Sequence, residues 1–118
     1  MCKPYFLKGN IIKKDFIDLN LFDIHQQKII NDCAIHGLDY SGFAKPHLNA
    51  FQMQVAYHAL RDGFDLSKYL DDFTCEQLEE IRLAKKSGLD EKQIAIVSLS
   101  ADEMMMKRAT LEYQLQKQ

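Results

Sequence analysis

The sequence lacks long apolar runs and any large excess of one charge. No stretch approaches the roughly 20 apolar residues that a membrane-spanning helix needs. The residues Met1 to Lys8 do not resemble a signal peptide, because Lys8 and Gly9 interrupt their apolar stretch. Lys and Arg number 15 against 17 Asp and Glu, a formal net charge of -2. This balance excludes a strongly basic nucleic-acid coat and a heavily acidic DNA mimic.

Several residue types are scarce as well, with 2 Pro, 5 Gly, 3 Cys and no Trp. Cys2, Cys33 and Cys75 form no CxxC motif, so we expect reduced cysteines packed as small hydrophobic residues in a cytoplasmic protein. The remaining composition, 47% hydrophobic and 27% charged over 118 residues, predicts one folded domain.

Motifs of enzyme active sites are also missing. The chain has no Gly-rich phosphate loop, no HExxH and no GxSxG. Cys33 and His36 are three residues apart and could form a thiolate–imidazole pair. However, Cys33 aligns with Ala59 and Ala84 in the repeat described below, which favours a packed cysteine. We expect no enzymatic activity and no cofactor.

Four histidines follow one another at a constant step of 11 residues, but they occupy different positions of the repeat. Gly37 and Pro46 interrupt the chain between them, so we expect no shared metal ion. These histidines are His25, His36, His47 and His58.

A tandem repeat organises the chain. Three Gly-apolar-Asp tripeptides begin at Gly37, Gly63 and Gly88, spaced 26 and 25 residues apart, and each ends in an Asp. Those acids are Asp39, Asp65 and Asp90. The glycines are predicted to end a helix with a positive φ angle, and each Asp to begin a second, short helix.

A helix-start pattern recurs with the same period. Asp23, Asn49, Thr74 and Ser100 are each followed three residues later by Gln or Glu, which is the signature of a capping box. A large apolar residue precedes each cap, and three of the four units carry a second one four residues after it, as in a hydrophobic staple. The repeat therefore predicts an all-α protein in which long helix, Gly turn, short helix and loop follow one another.

The units are expected to stack as a short solenoid-like array, because no single unit buries its apolar face alone. Residues 22–47, 48–72 and 73–98 are the three repeats. Residues 1–21 form a degenerate N-terminal cap, and residues 99–118 a C-terminal capping helix. The apolar residues predicted to face inward from the first two long helices are Ile24, Ile29, Ile30, Cys33, Ala34, Phe51, Met53, Val55, Ala56, Ala59 and Leu60.

The stretches Gly63-Phe64-Asp65-Leu66-Ser67-Lys68-Tyr69 and Gly37-Leu38-Asp39-Tyr40-Ser41-Gly42-Phe43-Ala44-Lys45-Pro46 resemble a known type of repeat. It is the short helical tandem repeat, of the GLDVS-x-YA type, found in proteins of phages and conjugative elements of Gram-positive bacteria. The resemblance covers about residues 22–111, with Tyr40 where Val is usual. It implies an origin in a mobile genetic element, a role in protein binding and no catalytic motif.

Among small phage proteins, inhibitors of host defence such as anti-CRISPR proteins are common. The resemblance therefore implies a non-enzymatic inhibitor that binds a CRISPR effector or another defence nuclease directly. Two alternatives stay open. One is a small DNA-binding regulator, because paired short helices can imitate helix-turn-helix geometry, and the other is a structural homo-oligomer.

A cluster of acidic residues is the candidate partner-binding surface. Such a cluster can bind a basic groove in a partner protein, although acids at a helix N-terminus also serve as partners of the helix dipole. The candidate residues are Asp71, Asp72, Glu76, Glu79 and Glu80. A basic cluster of Arg82, Lys85, Lys86, Lys107 and Arg108 could contact phosphates instead.

Overall fold

The computed structural model describes residues 17–117, and this part of the chain is all-helical with no strand. The four long helices are α1 (Ile24–Ile35), α2 (Ala50–Asp62), α3 (Cys75–Lys86) and α4 (Ala101–Gln116). Single 3-10 turns lie at Leu19–Leu21, Tyr40–Gly42, Ser67–Tyr69 and Glu91–Gln93. Each long helix packs against the next one along the chain. Of the four described helices, none combines the length and the apolar character of a membrane span.

The predicted capping boxes are confirmed at the start of all four long helices. Asp23, Asn49, Thr74 and Ser100 each accept a hydrogen bond from the backbone N–H three residues later, and the Gln or Glu at that position accepts one from the cap backbone in return. These bonds satisfy backbone donors that a helix start otherwise leaves unpaired, so each start is fixed at one residue.

The predicted glycine turns are confirmed as well. Gly37, Gly63 and Gly88 have φ angles of 69°, 100° and 86°, a left-handed conformation that disfavours a Cβ. The residue after each glycine donates its N–H five residues back, as Leu38 does to the Cys33 carbonyl at 3.0 Å. These are the paired bonds of a Schellman motif, so the three α-helices end in the same way.

The second helix of each unit is a 3-10 turn of three residues. Asp39 and Asp90 begin their turns as expected, each accepting from the N–H two residues later. Asp65 makes the same bond, to the N–H of Ser67 at 2.8 Å, but its turn begins one residue later than in the other units. Asp18 accepts from Asn20 in the same way, at the start of the turn before α1. The rest of the predicted N-terminal cap, residues 1–16, lies outside the described residues.

A glutamine in each of the first three units joins it to the next unit. Gln26, Gln52 and Gln77 complete their own capping boxes with the side-chain oxygen. With the side-chain nitrogen they donate to the carbonyl of the apolar residue before the next cap. The three acceptors are Leu48 at 2.6 Å, Phe73 at 3.1 Å and Leu99 at 2.7 Å. One side chain thus fixes both a helix start and the spacing to the next unit.

One continuous core runs along the units. The staple residues Met53, Leu78 and Met104 are fully buried, whereas the first unit has Gln27 at this position. Gln27 instead donates to the carbonyls of Leu19 and Phe22 at 2.8 and 2.9 Å, which ties α1 to the turn before it.

Two predicted inward residues are exposed, and that part of the prediction is wrong. Ile24 is 75% exposed and Phe51 is 72% exposed. They occupy the first and second positions after their N-caps, where a helix has only just begun and the side chain lies beyond the core of the stack. The C-terminal helix also carries exposed apolar side chains, namely Met105, Met106, Tyr113 and Leu115.

Candidate protein-binding groove

A groove of about 550 Å³ lies where α2 and α3 begin. Phe51, in the first turn of α2, contributes the exposed aromatic ring of this groove. Asn49 and Gln52 line it too, but their side chains are held in the α2 capping box. The loop residues 71–74 and the first residues of α3 complete the lining. The α2 capping box therefore fixes the backbone of the helix turn that carries the exposed Phe51 side chain.

Three of the five candidate acids form one edge of this groove. Asp71 contacts Nε2 of His47 through its Oδ1 at 2.6 Å, and both side chains are mostly exposed. Asp72 is exposed and has no ion-pair partner among residues 17–117. The pKa of Glu76 is lowered by its own backbone N–H and then by the Cys75 side chain, as expected for an acid at a helix start. The groove thus has an acidic rim beside an aromatic ring.

The other two candidate acids have intramolecular partners and lie outside the groove lining. Glu79 accepts from Nη2 of Arg82 at 2.7 Å, within α3. Glu80 accepts from Nε of Arg108 at 2.7 Å, and this pair joins α3 to α4 with both side chains partly buried. These two carboxylates therefore stabilise the fold, whereas Asp71, Asp72 and Glu76 remain accessible.

The basic cluster is largely neutralised in the same way. Arg82 and Lys86 both pair with Asp62, at 2.6 and 3.6 Å. Lys85 lies 3.6 Å from Glu91, and Arg108 binds Glu112 as well as Glu80. Lys107, by contrast, forms no ion pair with any residue of the range 17–117. This surface offers little free positive charge to a phosphate.

Cys33 and His36 bond to different partners. Cys33 is fully buried and donates to the Leu38 carbonyl at 3.6 Å, which confirms the packed cysteine. Burial, and then the charge of Asp39, raises the pKa of the Cys33 thiol from 9.0 to about 12. His36 is exposed, and its Nδ1 lies 2.8 Å from the Asp32 carbonyl and 3.0 Å from the Tyr57 hydroxyl. Within residues 17–117, no three His, Cys, Asp or Glu side chains converge on a metal site.

Phe51 is the groove residue whose exposure the sequence analysis did not predict. Its apolar character assigned it to the core. The repeat alignment held the missing signal, because the same position after the cap is His25 in α1, Glu76 in α3 and Asp102 in α4. Three polar residues at one repeat position indicate a solvent-facing site, so a phenyl group there is exposed. Comparisons with protein-family models, curated proteins and solved structures found no match to this chain.

Proposed function

We propose that this chain is a short solenoid-like stack of helical repeats that acts as a non-enzymatic protein-binding module. The neighbour-to-neighbour packing of α1 to α4 and the recurring glutamine bonds support the stack. The extents of 50 × 27 × 19 Å are those of an elongated body. Such a stack presents a continuous rigid surface to a partner.

The exposed ring of Phe51 beside a rim of accessible carboxylates carries this proposal. Aromatic side chains are common anchors of protein interfaces, because they bury a large apolar area on binding. Asp71, Asp72 and Glu76 attract a positively charged partner and steer its approach. The partner surface that fits this groove has an apolar pocket for a phenyl ring and lysines or arginines around it.

The resemblance to repeats of mobile genetic elements narrows the choice of partner. We propose a bacterial defence nuclease, such as a CRISPR effector, because enzymes that hold nucleic acid present basic channels to their substrate. The groove, with its acidic rim, would occupy such a channel and prevent nucleic acid from binding. An inhibitor of this kind would act in the bacterial cytoplasm, where the nuclease is.

The test measures binding to purified CRISPR effectors and cleavage of a labelled DNA by each of them. We expect Phe51→Ala to weaken inhibition at least tenfold, since an interface hot spot contributes about 2 kcal/mol or more. Ile35→Ala is the matched control, because Ile35 is 78% exposed on another part of the surface. Asp72→Asn is expected to weaken binding about threefold and Asp102→Asn to leave it unchanged.

Either of two results contradicts the proposal. One is an absence of inhibition by protein that is folded by circular dichroism. The other is inhibition that Phe51→Ala leaves intact, which would remove the groove from the mechanism. A mobility shift on duplex DNA without an effector completes the test. Salt-sensitive binding in that assay would favour the DNA-binding regulator instead.

A further inference from the structure

The outward side of α4 is an apolar stripe that no described residue covers. The sixth residue after the N-cap is buried in α1 and α2, where Ile29 and Val55 are 6% and 9% exposed. The equivalent residue of α4 is Met106, and it is 67% exposed. Ala109 and Tyr113 follow it at spacings of three and four, so they lie on the same side of the helix and are exposed as well.

We propose that this stripe binds the same stripe of a second copy of the chain, with the two α4 helices antiparallel. Opposite charges stand at its two ends. Asp102 is in the first turn of α4, and Lys117, just after the last turn, has its ammonium 5.5 Å from the Tyr113 ring centroid. Antiparallel pairing places Asp102 of each copy beside Lys117 of the other. Parallel pairing would place equal charges together, which is unfavourable.

The apolar residues are complementary in the same orientation. When Asp102 lies opposite Lys117 of the second copy, Met106 lies opposite Tyr113 and the pair is centred on Ala109 and Thr110. A methionine beside an aromatic ring is a favourable contact. The small side chain of Ala109 lets the two backbones approach closely at the centre. The stripe is therefore self-complementary in charge, in size and in contact type.

The glutamine bonds between successive units indicate why two copies should pair about a two-fold axis and not extend the stack. Gln26, Gln52 and Gln77 each donate an amide N–H to the carbonyl of the next unit. The fourth unit has Glu103 at this position, and its carboxylate completes the α4 capping box but has no N–H to donate. A further unit stacked in the same mode would lose that bond, whereas an isologous contact closes after two copies.

Sedimentation equilibrium of the full chain tests this dimer. A single 16-residue helix is about 24 Å long and covers less than the roughly 800 Å² per partner of a standard interface, so we expect a Kd on the order of 10–100 µM. Met106→Glu should weaken the dimer at least tenfold. Val97→Glu is the matched control, because Val97 is 66% exposed, lies outside α4 and gains the same charge. A chain that stays monomeric up to about 1 mM overturns the proposal, as does a dimer that Met106→Glu leaves unchanged.

Charge exchange tests the orientation. Asp102→Lys and Lys117→Glu, each alone, place like charges together in an antiparallel pair and should weaken the dimer several-fold. The double variant exchanges the two charges and should restore the wild-type Kd. In a parallel pair Asp102 meets its own counterpart, so neither single change adds repulsion that the double change removes. Failure of the double variant to recover, with circular dichroism showing intact helices, overturns the antiparallel arrangement.

Discussion

The boundary between α1 and α2 and the boundary between α3 and α4 use the same backbone arrangement with different side-chain chemistry. At the first, the Tyr57 hydroxyl lies 3.0 Å from Nδ1 of His36, and Ile29 is buried in the core. At the second, Arg108 binds both Glu80 and Glu112, and Ser87 donates to Glu112 at 2.7 Å. The pKa of Glu112 is lowered by the Ser87 hydroxyl and then by Arg108.

The comparison shows that the spacing of the helices and the stability of the contact between them have different sources. The capping boxes, the Schellman turns and the glutamine bonds recur along the chain and set the spacing. In α3 the repeat position that Ile29 occupies in α1 is Glu80. The charged side chain is tolerated there because Arg108 pairs with it. We expect the apolar boundary to be the stronger one and the charged boundary to depend more on salt.

The largest effect is expected at the apolar boundary. Ile29→Ala removes a buried side chain and leaves a cavity, so the free energy of unfolding should fall by about 3 kcal/mol. Urea denaturation measures this loss. Ile35→Ala removes the same atoms from a side chain that is 78% exposed and should change stability by less than about 0.5 kcal/mol. Equal effects of the two substitutions would show that Ile29 does not contribute to the core as described.

Substituting the glycine that ends α1 and the glycine that follows α3 should lower the stability of the protein by the same amount. Gly37 and Gly88 have similar φ angles, and a Cβ built on either meets nothing within 4 Å. Gly37→Ala and Gly88→Ala should therefore each cost about 1–2 kcal/mol, because the penalty comes from the backbone alone. Thermal unfolding of the two variants measures it. A cost confined to one of them would mean that the surrounding chemistry, and not the shared turn, sets the penalty.

The charged boundary should show a smaller loss that salt can modify. Glu80→Gln keeps the size of the side chain but removes the charge that faces Arg108, which retains Glu112 as a partner. We expect a loss of about 1 kcal/mol at low salt and less at high salt, since the pair is only partly buried. Hydrogen exchange of the α4 amides should report the loss most directly. A loss that is independent of salt would indicate packing in place of charge.

At neutral pH the effect expected at Cys33 is no larger than that at Glu80, and it should change as the solution becomes alkaline. The pKa of this thiol is raised by burial from 9.0 to about 12, so folding favours the protonated form. The stability that this form contributes is complete below about pH 9 and is lost as the pH rises towards 12.

Cys33→Ala should therefore cost about 1 kcal/mol near pH 7, and the deficit should shrink or reverse near pH 10.5. Chemical denaturation with a reductant at both values measures this difference. Cys75→Ala, at a half-buried thiol, should retain most of the alkaline loss seen in the native chain. A deficit of Cys33→Ala that is the same at both pH values would contradict the linkage.

Local chemistry made much of the fold predictable. A capping residue with Gln or Glu three positions later, and a glycine at the helix end, act within one turn of helix, so Asn49, Gly63 and their equivalents identified the long helices. Burial was less predictable from residue type, because Phe51 and Ile24 share the apolar character of core residues; for Phe51 only the polar residues at the same repeat position indicated exposure. The sequence also did not predict which of the five candidate acids are accessible and which are paired, because the partner of Glu80 is Arg108 on another helix.

The sequence by itself determined the helix boundaries, the period of the repeat and the turn that ends each of the first three helices. These depend on hydrogen bonds and φ angles among residues close together in the chain. The tertiary structure alone decided that Asp72 stays accessible while Glu80 is paired, that Phe51 borders a groove, and that α4 leaves Met106 uncovered. Those outcomes depend on which side chain of the next unit comes within contact distance, and the docking of one unit on another sets that distance.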